Sequence, residues 1–206
     1  MSPKVSDEHR EQRIRQILEA AERVFARKGY EPVTMKDIVE EAQMSRGWIY
    51  LYFQSKEEIF EAFMEKKDEE SGREMQTKLS GTSSVWDAIR LMFSQVKTDL
   101  ASSDNNTDLA FYEFYISGYR NEARRALFTR RYDQAIARIV PLIQLGIDRG
   151  ELSPILPVEL AVKIASSHLD GILIHQLAVG PEKTESVKQI DALIEYLRHL
   201  LGVKVQ

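Results

Sequence analysis

Two places in the 206-residue chain gather side chains able to do chemistry or to recognise a partner. The first is His168, Asp170 and His175. Two imidazoles and a carboxylate can hold a metal or relay a proton. Here the histidines lie seven residues apart, a wider step than the i, i+4 pairing by which one helix chelates a metal, and no third ligand accompanies them. Neither a nucleophile elbow nor a glycine-rich phosphate loop occurs elsewhere, so no enzyme activity and no cofactor is expected. The second place is 42–56, AQMSRGWIYLYFQSK, where Arg46 and Lys56 stand without a carboxylate between Glu40-Glu41 and Glu57-Glu58. In a chain of net charge −4 this is a local positive window, and local concentration is what an acidic protein needs to meet a polyanion. Trp48 to Phe53 are six consecutive large residues, and a helix turning about 100° per residue cannot face all of them to one core. Ile49 and Phe53 pair at i, i+4 as core anchors, leaving Trp48, Tyr50 and Tyr52 wholly or partly outside. Tyrosine hydroxyls, Ser, Thr and Lys donate to phosphate oxygens, and Arg and aromatic groups reach base edges in a major groove.

These groups need a scaffold, and the flanking sequence supplies one. Ile14, Ile17, Leu18, Ala21, Val24 and Phe25 recur at helical spacing, and Gly29 provides a left-handed stop. Thr34 is an N-cap with Asp37 three residues on, opening a short second helix that carries Ile38, Val39 and Ala42. A brief turn at Gln43-Met44 leads to Ser45, a second N-cap, and a third helix over Arg46 to Phe53. Ser55 caps a fourth helix expected to link two domains, 1–54 and 55–206. Short helix, tight turn and short helix match helix-turn-helix geometry. Gly47 lets backbone approach DNA closely, although glycine there costs about 1 kcal/mol of helix propensity relative to alanine. The candidate DNA contacts are Thr34, Lys36, Ser45, Arg46, Gly47, Trp48, Tyr50, Tyr52 and Lys56. A bare charge at the start of helix 4 is unfavourable for Lys56, and a phosphate near that terminus would explain it.

Beyond a loop at Gly81 to Ser84, helical spacing resumes at Val85, Ile89, Met92, Phe93 and Val96. A polar break at Ser102 to Thr107 precedes a short helix from Leu109 to Ile116. A long helix then runs from Asn121 to a stop at Gly150, bent at Pro141. Two helices remain, Pro157 to Val179 and Glu182 to Leu201. No alternating strand pattern appears, so the class is all-α with about nine helices. Val187, Ile190, Ile194, Leu197 and Leu201 form a stripe on the last helix that a second helix must cover. That cover is either the chain's own core or a second copy, for which Ile172, His175, Ile190, Ile194 and Leu197 are the candidate interface. The middle helices offer Phe93, Phe111, Glu113, Phe114, Tyr115 and His168 as a candidate ligand set, in which Glu113 amid aromatics would suit a cation. With 43% hydrophobic and 29% charged residues the chain is an ordinary globular one. It has no cysteine, and neither an N-terminal apolar stretch nor a run near the roughly 18 residues of a membrane span. A cytoplasmic protein without a membrane partner is expected.

The segment TMKDIVEEAQMSRGWIYLYFQSKEEIF resembles the DNA-binding segment of the TetR (tetracycline-repressor-like) family. The match is carried by Thr34, Ile38, Ala42, Ser45, Gly47, Ile49, Tyr50, Tyr52, Phe53 and Lys56, with departures at Val39, Gln43, Met44 and Ile59. The resemblance implies a homodimeric transcriptional regulator, a repressor that binds palindromic double-stranded operator DNA and answers to a small-molecule effector. Two other readings fit the composition: a helical interaction module without DNA binding, and an enzyme built on His168, Asp170 and His175. A salt-sensitive DNA complex separates the first reading from both.

Overall fold

The computed structural model describes residues 7–101 and 107–204. The polar break from Ser102 lies outside the described residues up to Thr107, where a helix has already begun. The elements are α1 (Asp7–Lys28), α2 (Met35–Ala42), α3 (Arg46–Tyr50), α4 (Lys56–Ser80), α5 (Val85–Ala101), α6 (Thr107–Ser117), α7 (Glu122–Asp148), α8 (Val158–Val179), α9 (Pro181–Thr184) and α10 (Ser186–Leu200). Among the described residues there is no strand, and no helix is long and apolar enough to cross a membrane. They divide into two compact units, one of 7–70 and 107–117, the other of 71–101 and 118–204. The boundary expected after residue 54 therefore differs on two counts: the first half of α4 and all of α6 fold with the N-terminal helices.

In the first unit, α1 buries Ile17, Ala20, Ala21, Val24 and Phe25, and Gly29 ends it in the left-handed region at φ 77°. Thr34 and Asp37 form a complete capping box at α2: the Thr34 side chain accepts from the Asp37 N–H, and the Asp37 carboxylate accepts from the Thr34 N–H. The first half of α4 faces inward with Ile59, Phe60, Phe63 and Met64, and its first turn is held by Ser55 Oγ accepting from the Glu58 N–H at 3.1 Å. Phe60 is packed edge-on against Phe25 at 4.8 Å between ring centres. Phe114 of α6 closes the cluster, 4.7 Å from Tyr30 and 4.8 Å from Phe60.

The third helix is shorter than the expected Arg46 to Phe53. It ends at Tyr50, but the N–H groups of Tyr52 and Phe53 still reach the Ile49 carbonyl at 2.9 and 3.0 Å. That tightening keeps Phe53 in the core beside the fully buried Ile49. Ser45 occupies the N-cap position with extended backbone, yet its hydroxyl makes no capping bond.

In the second unit, α5, α7, α8 and α10 share a core of Val85, Trp86, Ile136, Leu142, Ile143, Leu152, Leu193 and Leu197. Helix α7 continues through Pro141. Its first turn is capped by Asn121, whose side-chain oxygen accepts from the Arg124 N–H. At Gly146 a side chain has no room, because a Cβ there would lie 2.6 Å from Leu152 Cδ1. The helix expected over Glu182 to Leu201 is broken at Glu185, whose φ of 49° separates α9 from α10.

The candidate dimer set needs correction. Ile172, Ile190 and Leu197 are 1%, 0% and 4% exposed inside their own chain, so they have no surface to offer a second copy. Ile194 is half-buried, and His175 alone of the five is exposed. Of the stripe on the last helix, Ile190, Leu197 and Leu201 are buried within their own unit, and Val187 is left outside. The outward apolar groups are instead Leu160, Ile174, Leu177 and Val179 on α8, with Val187 and Tyr196 on α10.

Gln43 ends α2 in the left-handed region at φ 53°, ψ 35°, where an L-residue with a Cβ is disfavoured by roughly 1–2 kcal/mol. Gln43→Gly removes that cost at the expense of a more flexible unfolded chain, and is expected to raise stability by about 0.5–1 kcal/mol. Urea denaturation of the two proteins side by side checks this; a loss of stability would contradict it.

Candidate nucleic-acid interface

The helix-turn-helix consists of α2, the Gln43 to Ser45 turn and α3, and its outer face is decided by which α3 residues the core takes. Ile49 is taken completely. Ser45, Arg46, Gly47 and Trp48 remain exposed, while Tyr50 and Tyr52 are partly buried. Arg46 lies with its guanidinium 5.3 Å from the Tyr50 ring centre, one turn away. Trp48, 45% exposed, is met by Arg13 of α1, whose guanidinium carbon sits 5.9 Å from the ring centre. A Cβ built on Gly47 would meet nothing within 4 Å.

At the head of α2, Thr34 is exposed, and its hydroxyl already donates to Asp37 Oδ2 at 2.7 Å. Lys36 is exposed and lies 3.6 Å from Glu40. The Asp37 carboxylate binds the Lys28 ammonium at 2.5 Å, and that cation together with the Thr34 hydroxyl and N–H holds its carboxyl far below the usual carboxylate range. Glu41 is lowered in the same way, by hydrogen bonds from Arg23 and then Arg27, each at 2.7 Å. These three ion pairs tie α2 to α1.

Lys56, expected as a phosphate contact, is engaged within the fold of the head. Its ammonium donates to the backbone carbonyls of Tyr30 and Glu31, at 3.1 and 3.0 Å, and lies 4.4 Å from the Tyr30 ring centre. The N–H groups of the same two residues donate to Glu113 Oε2 of α6, at 2.6 and 3.1 Å. The turn between α1 and α2 is thus held on its carbonyls by a cation and on its N–H groups by an anion. Gly29 is needed twice over, because besides its positive φ a Cβ there would lie 2.6 Å from the Glu113 carboxylate.

The candidate ligand set is divided between the two units. Phe111, Glu113, Phe114 and Tyr115 belong to α6 in the first unit, whereas Phe93 and His168 belong to the second. Phe114 is fully buried among Tyr30 and Phe60, and Glu113 is engaged with backbone N–H groups, so neither is presented to a cationic ligand. Phe111 packs against Tyr112 and Tyr115; Tyr115 is half exposed and His168 exposed. Sequence reasoning missed two groups on the outer face. Leu51 is 72% exposed, and its signal was the run of six large residues, one more of which had to point outward. Arg13, whose Nε is buried without a hydrogen-bond partner, had no signal, because nothing in α1 announces a neighbour thirty-five residues on. Among the described residues no group of His, Asp or Glu is arranged to hold a metal ion.

A short capped helix, a left-handed turn and a second short helix with an exposed basic and aromatic face define a helix-turn-helix DNA-binding protein. Comparison with known sequences agrees: the pattern described as bacterial regulatory proteins of the tetR family matches residues 17–63, and the tetracyclin repressor-like C-terminal domain matches 88–187. The HTH-type transcriptional regulator YfiR of Bacillus subtilis is 37% identical over 201 residues, covering 98% of each chain. Among solved structures, Escherichia coli NemR in its reduced form superposes with a TM-score of 0.78 at 16% identity, covering 95% of this chain and 100% of that one. FadR of Bacillus subtilis in complex with stearoyl-CoA gives 0.73 at 24%, covering 92% and 99%. The chain belongs to the TetR family of transcriptional regulators.

Because the folded-state pKa of Asp37 lies below its unfolded value, the folded head binds fewer protons, and the stabilisation is present above about pH 4 and declines as the pH falls further. Asp37→Asn is expected to cost about 1 kcal/mol at pH 7, with the gap from the parent protein shrinking progressively below about pH 4. Denaturation midpoints across that range test it; a gap independent of pH would remove the charge from the explanation.

Proposed function

We propose that this protein is a cytoplasmic, ligand-responsive repressor that binds a palindromic operator as a homodimer, with α3 entering the major groove. The observation that carries the docking is Gly47. An exposed glycine with ordinary helical backbone and open space around it serves no purpose in the fold of the head, while lowering helix propensity. Its use lies with an outside surface that must come close. Arg46 and Trp48 flank that point for base edges and backbone, with Leu51 just past the end of α3 for sugar or thymine methyl contact, and Thr34, Lys36, Ser45, Tyr50 and Tyr52 frame it for phosphates. Lys56 acts through the turn it holds.

A two-fold reader places its recognition helices about 34–36 Å apart, so dimer geometry and operator affinity are linked. The exposed apolar groups of α8 and α10 supply the interface in this reading, replacing the buried set named from sequence. A small molecule that favours another separation of the heads then weakens DNA binding, and DNA weakens its binding by the same factor. The stearoyl-CoA complex of FadR is one example of a small molecule held by this fold.

The test of docking is Gly47→Ala. It is expected to leave the fold intact or stabilise it by up to about 1 kcal/mol while lowering affinity for a promoter fragment in a salt-dependent shift assay. Unchanged affinity would move the DNA off α3. For assembly, Ile174→Glu and Tyr196→Glu each place a carboxylate on the proposed interface without touching the core. Sedimentation is expected to show folded monomers, with operator affinity falling at least tenfold, equivalent to about 1.4 kcal/mol; an intact dimer in both variants would place the interface elsewhere.

A further inference from the structure

Helices α5, α7, α8 and α10 do not close on a solid core. They surround a cavity of about 180 Å³ whose wall includes Ile89 and Phe93 of α5, Ile143 of α7, Ser166 and Leu169 of α8, and Leu197 of α10. Ile89, Ile143 and Leu197 are buried, whereas Phe93, Ser166 and Leu169 are partly exposed and leave an approach from solvent. Among the described residues that line it, Ser166 is the only one with a polar side chain. Of the two members of the sequence-named ligand set in this unit, Phe93 lines the cavity and His168 does not.

Protein interiors pack as densely as organic crystals, and voids much larger than a water molecule are few. An apolar cavity of about 150 Å³ stays dry and takes up benzene, so the space here matches a ligand of one ring or a compact branched hydrocarbon. The lining also sets the chemistry. A charged ligand would lose its hydration with no counter-ion in the wall, and a ligand with several donors or acceptors would leave most of them unpaired. One hydroxyl can be satisfied, by Ser166.

We propose that this cavity is a binding site for a neutral, largely hydrocarbon molecule of about one ring, carrying at most one hydrogen-bonding group, which faces Ser166. That its occupation regulates DNA binding rests on the reading of the chain as a ligand-responsive repressor.

The probes are propylbenzene, 4-propylphenol and 4-propylbenzoate, titrated calorimetrically into the full-length protein. Propylbenzene and 4-propylphenol are expected to bind, the phenol about fivefold tighter through its one hydrogen bond, and the benzoate at least a hundredfold more weakly than the phenol. Ser166→Ala should bring the phenol and propylbenzene to equal affinity. Ala165→Phe fills the cavity from its wall and should abolish binding of both; Ala165→Leu serves the same end with less bulk if the larger variant fails to fold. Failure of both neutral probes to bind, benzoate binding as tight as the phenol's, or binding indifferent to the folded filling variant would each overturn the assignment. The regulatory reading fails separately: if the neutral probes bind as expected while operator affinity stays constant at saturation, the site stands and ligand responsiveness through it falls.

Discussion

The DNA-reading face depends on how the turn from Gly29 to Glu31 is held, because that turn sets the angle between α1 and α2. Its peptide groups are met from two sides, with Lys56 on the carbonyls and Glu113 on the N–H groups. Hydrogen bonds with one charged partner contribute about 1.5–3 kcal/mol each, roughly twice the neutral kind. The aromatic cluster of Phe25, Tyr30, Phe60 and Phe114 lies behind the same turn and partly shields the two bonds made at Tyr30, while those made at Glu31 are open to solvent. On the outer side, Lys28, Arg23 and Arg27 of α1 reach across to Asp37 and Glu41 of α2. Helix α2 is therefore referenced to α1 at both ends, and α3 follows through a turn of only three residues.

What the sequence made legible was local. The Thr34–Asp37 capping box, the Gly29 stop, the Ser55 cap and the Ile49–Phe53 anchors are each set by residues within four positions of one another, and each is found in the structure. The stop of α3 at Tyr50 and the role of Gln43 were not legible, since a left-handed glutamine is a local strain that only the rest of the head imposes. The intramolecular engagements of Glu113 and Lys56 were not legible for a different reason. Their partners are 83 and 26 residues away and are backbone groups, which carry no residue-specific signal. The same limit explains the dimer set. A heptad stripe says that something covers it, and Ile190 and Leu197 are covered within their own chain.

The recognition helix carries features that work against its own stability: a glycine in its first turn, an N-cap hydroxyl that forms no cap, a length of five residues and large apolar groups left in water. None of these improves packing. Such conflicts between local preference and fold gather where a surface is shaped for a partner. The cavity in the second unit belongs to the same category, since four helices whose sequence could fill it with larger side chains at Ala161 and Ala165 leave it open.

The first unit is discontinuous along the chain. Its helices α1 to α3 and the first half of α4 come from residues up to 70, but Phe114 and Glu113 arrive after an excursion through α5. The head is consequently not a detachable module. A fragment ending at residue 70 lacks the ring that covers Tyr30 and Phe60 and the carboxylate that satisfies two N–H groups of the turn. Chimaeras that graft this DNA specificity onto another effector domain must therefore transplant α6 along with α1 to α4, or supply a phenylalanine and a glutamate at matching places on the recipient's own helix.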